Sequence, residues 1–96
     1  MELELDGKVA LVTGSSRGIG RAIAETLHSE GCRVALNARN KEDISKIINC
    51  LPGSIFAQGD VSDPKEAREV IKDVLASFGQ IDILVCNVGN GSSVEP

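Results

Sequence analysis

The stretch Thr13-Gly14-Ser15-Ser16-Arg17-Gly18-Ile19-Gly20 gathers glycines, hydroxyls and a guanidinium in one short run. Apolar Val9-Ala10-Leu11-Val12 precedes it and helically spaced Ile19, Ala22, Ile23 and Leu27 follow, which predicts a turn from a strand into a helix. The first N–H groups of a helix have no intrahelical partner, and the helix dipole adds partial positive charge at the same end. That corner suits a phosphate. Gly14 serves the tight turn, Gly18 the close approach of a pyrophosphate, and Gly20 the packing of helix on strand. The spacing is G-x-x-x-G-x-G. A nucleoside-triphosphate loop would close on Gly-Lys-Ser/Thr, whereas Gly20 is followed by Arg21-Ala22, so neither the phosphate lysine nor the magnesium hydroxyl is supplied. A tight turn without a ligand is the alternative; a strand before the loop and a helix after it argue for the anion.

In a dinucleotide site the end of the second strand separates NAD from NADP, because an acid there bonds the ribose 2′-hydroxyl and would repel a 2′-phosphate. The segment reads Leu36-Asn37-Ala38-Arg39-Asn40 and holds no acid. Arg39 can grip a phosphate with a charge-assisted, bidentate contact, and Arg17 can reach the same group from the glycine loop. A solvated surface arginine is the alternative for each. Together with the missing acid they point to NADP(H) rather than NAD(H). Gly59-Asp60-Val61 follows the third strand, at the edge where open α/β sheets bind ligands. There Asp60 can accept from an adenine amino group and the Val61 backbone can bond the ring; otherwise Asp60 organises the turn into the next helix.

The elements that must position these residues alternate. The first strand covers Lys8 to Thr13, and a helix runs from Gly18 until Gly31, which suits a left-handed helix end. A second strand spans Arg33 to Ala38. Asn40 can cap a helix carrying Ile44, Ile47, Ile48 and Leu51, stopped by Pro52-Gly53. Ser54 to Gln58 reads as a third strand. Asp63-Pro64 starts a third helix, with the aspartate as cap, proline at the first helical position and Glu66 placed for a capping box. Its stripe is Ala67, Val70, Ile71, Val74, Leu75 and Phe78, Gly79 closes it, and Ile81, Ile83, Leu84 and Val85 make a fourth strand. The order β-α-β-α-β-α-β with short connections predicts an α/β fold, a partial Rossmann (doubly wound) fold with a four-stranded parallel sheet in the order 3-2-1-4 and three helices. Residues 1–96 form one nucleotide-binding unit with an irregular tail at 89–96, and a doubly wound sheet would normally continue past the fourth strand.

Composition agrees. With no Trp, no Tyr and only two Phe, the core must be aliphatic, as for strands covered on both faces. A net charge of −4 without basic clusters excludes a nucleic-acid partner. The acidic start and the lack of any long apolar run exclude a secretory signal and a membrane span, which places the protein in the cytoplasm. Cys32, Cys50 and Cys86 show no metal-ligand spacing and read as small apolar side chains. His28, the one histidine, lies within a predicted helix and reads as a surface or locally bonded imidazole.

With Thr13-Gly14-x-x-x-Gly18-Ile19-Gly20, Asp60-Val61 and Cys86-Asn87-Val88-Gly89 in this order, the chain resembles the compact, single-domain short-chain dehydrogenases/reductases. The resemblance spans nearly the whole sequence. It implies that Gly14, Ser15, Ser16, Arg17, Gly18, Ile19 and Gly20 line the pyrophosphate and nearby ribose, Asp60 and Val61 the adenine, and Asn87 and Gly89 the ribose near the nicotinamide. Arg17 and Arg39 fall where family members with NADP preference carry basic residues. Cys86 and Val88 depart from the family's Asn-Asn-Ala-Gly. The first removes an amide that braces the sheet, and the second adds methyl groups close to the cofactor.

The family's chemistry is hydride transfer between a nicotinamide and a carbonyl or alcohol, with a tyrosine as acid/base, a lysine that lowers its pKa, and a nearby serine and asparagine. This sequence has no tyrosine, and Ser92 and Ser93 follow the fourth strand too closely to be the family's serine. No residue is therefore assigned to catalysis. Three readings follow: the NADP(H)-binding portion of an oxidoreductase acting on a ketone or a 3-oxoacyl thioester, a non-catalytic nucleotide-binding module, and an inactive remnant with an open sheet edge. A full-length form would have further helices through which to form a homo-oligomer.

Overall fold

The computed structural model describes residues 5–15 and 18–87. Strand β1 (Val9–Val12) leads through the glycine loop to helix α1 (Gly18–Ser29), then β2 (Arg33–Ala38), α2 (Lys41–Ile48), β3 (Ile55–Gln58), α3 (Pro64–Phe78) and β4 (Ile83–Val85). The four strands are all parallel and stand in the order β3-β2-β1-β4, as the sequence predicts.

The aliphatic runs make two cores, one on each face of the sheet. Side chains alternate across a strand, so Ala10, Val12, Val34, Leu36 and Ala38 meet Ala24 of α1 and Ile44 and Ile47 of α2. Val9, Leu11, Ala35 and Ala57 point the other way, onto Val70 and Val74 of α3. All four β1 residues are buried, because this central strand has helices above and below it. Each fully buried Val or Leu contributes on the order of 1.5–3 kcal/mol relative to exposure, which fixes β1 and therefore the loop leaving its carboxyl end.

The α3 face is the thinner one. This helix lies against β3, and on its side of the sheet Leu84 of β4 remains 52% exposed and Leu75 of α3 43%. Among the described residues β4 pairs only with β1, so it is the open edge that the alternation of elements implies.

The ends of α1 and α3 follow the sequence signals. Helix α2 instead stops at Ile48, short of Leu51 and Pro52-Gly53, with the Asn49 N–H turned back onto Ile47 O, and two caps differ. At the end of α1 the Cys32 N–H donates to Leu27 O at 3.0 Å and the Gly31 N–H to His28 O at 3.1 Å, the paired bonds of a Schellman ending. Asp63 caps α3 by accepting from the Lys65 N–H at 3.0 Å, and Gly79 ends it in the left-handed conformation. Asn40 does occupy the cap position of α2, but its side chain accepts no capping bond; its amide is turned toward Asp43 at 3.5 Å, drawn to the carboxylate in the first turn. Nor does Glu66 close a capping box on Asp63. The Asp63 N–H already donates to Asp60 O at 3.0 Å, and Glu66 reaches further back to accept from the Asp60 N–H at 2.7 Å.

His28, at the surface as expected, bonds the Pro52 carbonyl at 2.8 Å across 24 residues and so ties α1 to the turn before β3. The cysteines are free. Cys32 is buried, and burial together with the nearby acids Glu30 and Asp6 pushes its thiol pKa up. Cys50 and Cys86 are exposed instead, since each falls just beyond an element's end and not on a core face. Among the described residues no group of acids, histidines and cysteines is arranged to hold a metal, and no helix is long and apolar enough to cross a membrane. The tail assigned to 89–96 lies outside the described residues.

Candidate functional site

Parallel strands bring their carboxyl ends to one edge, and the singled-out residues in the described segments gather there. Thr13, at the end of β1, donates its N–H to Val85 O at 3.0 Å. Its hydroxyl donates to the same carbonyl at 3.2 Å and accepts from the Asn87 N–H at 2.8 Å. Asn87 then returns its side-chain Nδ2 to the Gly14 carbonyl at 3.2 Å. The end of β4 is thus laced to the start of the glycine loop.

This lacing explains two of the glycines. A Cβ on Gly14 would overlap the Asn87 carbonyl, and one on Gly20 would overlap the Gly14 carbonyl and lie 2.5 Å from Asn87 Nδ2. Only a bare backbone lets α1, the loop and β4 approach so closely. Gly18 differs: its φ is +66°, a left-handed conformation that favours glycine, and among the described residues nothing lies within 4 Å of where a Cβ would stand. Beside it Ile19 is 72% exposed, a large apolar side chain at the start of α1.

Ser15 is fully buried. Its N–H donates to Asn37 O at 2.9 Å, and its hydroxyl accepts from the Asn37 N–H at 2.8 Å while lying 3.2 Å from Asn37 O. It therefore supports the loop from beneath. At the end of β2 Arg39 is exposed, with its backbone carbonyl accepting from Gln58 Nε2 at 3.0 Å.

Asp60 organises the turn after β3. Its Oδ1 accepts from the Ser62 hydroxyl at 2.6 Å and the Ser62 N–H at 3.0 Å. These bonds hold its carboxyl below the ordinary range, and the Arg39 charge adds to them. Val61 turns its side chain toward the α3 core. Gly14, Gly20 and Asn87 are thus brought into direct contact, with Gly18 and Ile19 at the start of α1 and Arg39 and Asp60 on the far flank. Ser16, Arg17 and Gly89 lie outside the described residues.

The family model described as short chain dehydrogenase matches residues 8–96. The chain belongs to the short-chain dehydrogenase family. It is 42% identical over 90 residues to the 3-oxoacyl-(acyl-carrier-protein) reductase FabG of Escherichia coli, covering 91% of this chain and 36% of that protein. The L-sorbose reductase of Gluconobacter frateurii, solved with NADPH and L-sorbose, superimposes with a TM-score of 0.89 at 38% identity, over 99% of this chain and 38% of that one. A short-chain dehydrogenase/reductase of Burkholderia phymatum, solved with NAD, gives 0.81 at 30% identity, over 85% and 31%. The chain spans a little over a third of the length of the reductases from Escherichia coli and Gluconobacter.

For this short-chain dehydrogenase chain, motif reading overlooks one residue of the edge, Asn37. It is 2% exposed. Its Oδ1 accepts from the Gly14 N–H at 3.2 Å, and its Nδ2 donates to Ala57 O at 2.9 Å and to Gly59 O at 3.2 Å. A signal was present. An amide inside the otherwise apolar Val34-Ala35-Leu36-Asn37-Ala38 must be buried, and buried amides are hydrogen-bonded.

Proposed function

We propose that residues 1–96 are the nucleotide-binding unit of a short-chain oxidoreductase that holds NADP(H) in preference to NAD(H). In the complete enzyme hydride passes between that cofactor and a carbonyl or alcohol, with a 3-oxoacyl thioester as the substrate class. One observation carries the reading: Gly14, Gly20 and Asn87 draw the start of α1 close to β1 and β4, while among the described residues nothing lies within 4 Å of a Cβ built on Gly18. A helix start held in this way, at the carboxyl edge of a parallel sheet, is a seat for a pyrophosphate.

The remaining roles are part of the proposal and rest on the family resemblance. Gly18, Ile19 and Gly20 present the first amides of α1 to the phosphates, Ser16 and Arg17 are assigned to the same pyrophosphate, and the Ile19 side chain covers the cofactor's apolar face. Gly14 and Ser15 give the loop its shape. Arg39 takes the 2′-phosphate, and Ala38 offers no acid to oppose it. The free side of Asp60 and the Val61 backbone receive the adenine. Asn87, with one amide hydrogen on Gly14, turns its oxygen to the nicotinamide ribose, and Gly89 lets that sugar approach. NADP(H), when bound, supplies the hydride. A cytoplasmic setting and a homo-oligomeric full-length form complete the proposal; relatives solved with NADPH and with NAD make either dinucleotide chemically reasonable.

Arg39 provides the test. Titration of the chain with NADPH and NADH, followed by nucleotide fluorescence, should give at least about tenfold tighter binding of NADPH, which corresponds to about 1.4 kcal/mol. Arg39→Ala should erase that margin while leaving NADH binding in place. Equal affinities in the unmodified chain would remove the case for NADP(H). Because the sequence contains no tyrosine, a second reading is a binding module without turnover. The 96-residue chain is expected to reduce no carbonyl substrate, and turnover in a coupled NADPH assay would contradict that assignment.

A further inference from the structure

We propose that Asn37 is a positioning residue that locks the loop after β1 to the turn after β3, so that one amide sets both the pyrophosphate side and the adenine side of the nucleotide site. The inference rests on the dinucleotide reading given above. Two features carry it. The first is reach: the Asn37 side chain bonds Gly14 on one side and Ala57 and Gly59 on the other, and Gly59 directly precedes Asp60. The second is saturation, since the Asn37 N–H and C=O are both engaged by Ser15. Neither loop can shift alone without breaking a buried bond.

Side-chain chemistry makes the position selective. The bracket requires one acceptor for Gly14 and two donors for two carbonyls, on a stem short enough to stay between adjacent strands. Asn supplies that set; an ionised Asp has acceptors only, and Ser or Thr has a single hydroxyl. A consequence follows for the anion. The Gly14 and Ser15 amides are turned inward onto Asn37, so neither of these two N–H groups is left to meet a phosphate. Asn37 therefore also decides which amides face the ligand.

Asn37→Leu keeps the side chain's size and removes its hydrogen bonds. In the folded variant, checked by circular dichroism at low temperature, affinity for NADPH and for adenosine monophosphate should each fall by about 30-fold, the scale expected when buried partners lose their bonds. Hydrogen exchange should show the Gly14 amide losing protection while those of β4 keep theirs. A purely structural role would lower the melting temperature yet leave both affinities of the folded chain unchanged, and that result overturns the proposal. Should Asn37→Leu fail to fold, Asn37→Ser takes its place, with weakening of both ligands expected and unchanged affinities again overturning it. Failure of the unmodified chain to bind NADPH or adenosine monophosphate would instead remove the dinucleotide reading, and the proposal with it, even if the exchange result upheld the bracket itself.

Discussion

The loop after β1 and the turn after β3 stand side by side at one edge of the sheet, yet they are held by opposite means. Every side-chain bond that shapes the first comes from far along the chain: Asn37 to Gly14, Asn87 to Gly14, Asn87 to Thr13. The second, apart from the Asn37 bond to Gly59 O where it begins, folds on its neighbours, with Asp60 on Ser62, Glu66 on Asp60 and Asp63 on Lys65. The loop after β1 takes its shape when β2 and β4 are already beside β1. The β3 turn carries its geometry in its own residues. Changes at the first should therefore act on binding and fold together, and changes at the second on local stability.

The largest break in that contrast is expected from Gly20→Val. A Cβ there meets the Gly14 backbone carbonyl, which has no side-chain freedom to move aside, and Asn87 Nδ2, which is held on the Gly14 carbonyl. Overpacking of this sort costs about 1–3 kcal/mol or more, and it also pushes α1 off the loop. Denaturant titration should show the stability loss, and NADPH binding should disappear even under conditions where the variant remains folded. Binding within threefold of the unmodified chain would separate the loop from the site. Asp63→Ala, on the self-contained side, removes only the α3 cap and should cost about 1 kcal/mol. In a domain of this size that lowers the melting temperature by about 4–8 °C. NADPH affinity at low temperature should not change.

The same division marks what could be read from the residues. Strand order, the Gly31 and Gly79 helix ends and the Asp63 cap all rest on local spacing, and the structure contains each of them. Glycine types at 14 and 20 were legible too, although the reason that both are needed, the Asn87 amide between them, was not. Asn37 escaped because its partners lie 20 to 23 residues away, and no motif joins positions that only a folded sheet brings together. The two local misreadings have the same origin at smaller scale. Asn40 and Glu66 had the right spacing for capping, but Asp43 drew the first aside and Asp60 O had already filled the second's target. Spacing proposes a bond; competition among nearby acceptors decides it.

The finest distinction concerns protons. Hydrogen bonds from Ser62 hold the Asp60 carboxyl below its ordinary value, and the Val9 N–H and Gln80 amide do the same for Asp82. A carboxylate whose pKa is lower in the folded state binds fewer protons there than in the unfolded chain. Its stabilisation is present above the ordinary carboxylate range and is lost as pH falls through the lowered folded value. Melting temperature should therefore stay level near neutrality and decline below about pH 4. Because both groups are exposed, the slope should be shallow and should weaken further in salt. Ser62→Ala removes the hydroxyl bond but keeps the Ser62 N–H, so it should reduce the Asp60 share while leaving the decline due to Asp82, whose bond to Val9 joins β1 to the start of β4 across 73 residues. Much of the residual acid sensitivity of that variant is then carried by the long-range contact, and loss of the whole decline on Ser62→Ala would show that the local turn governs both.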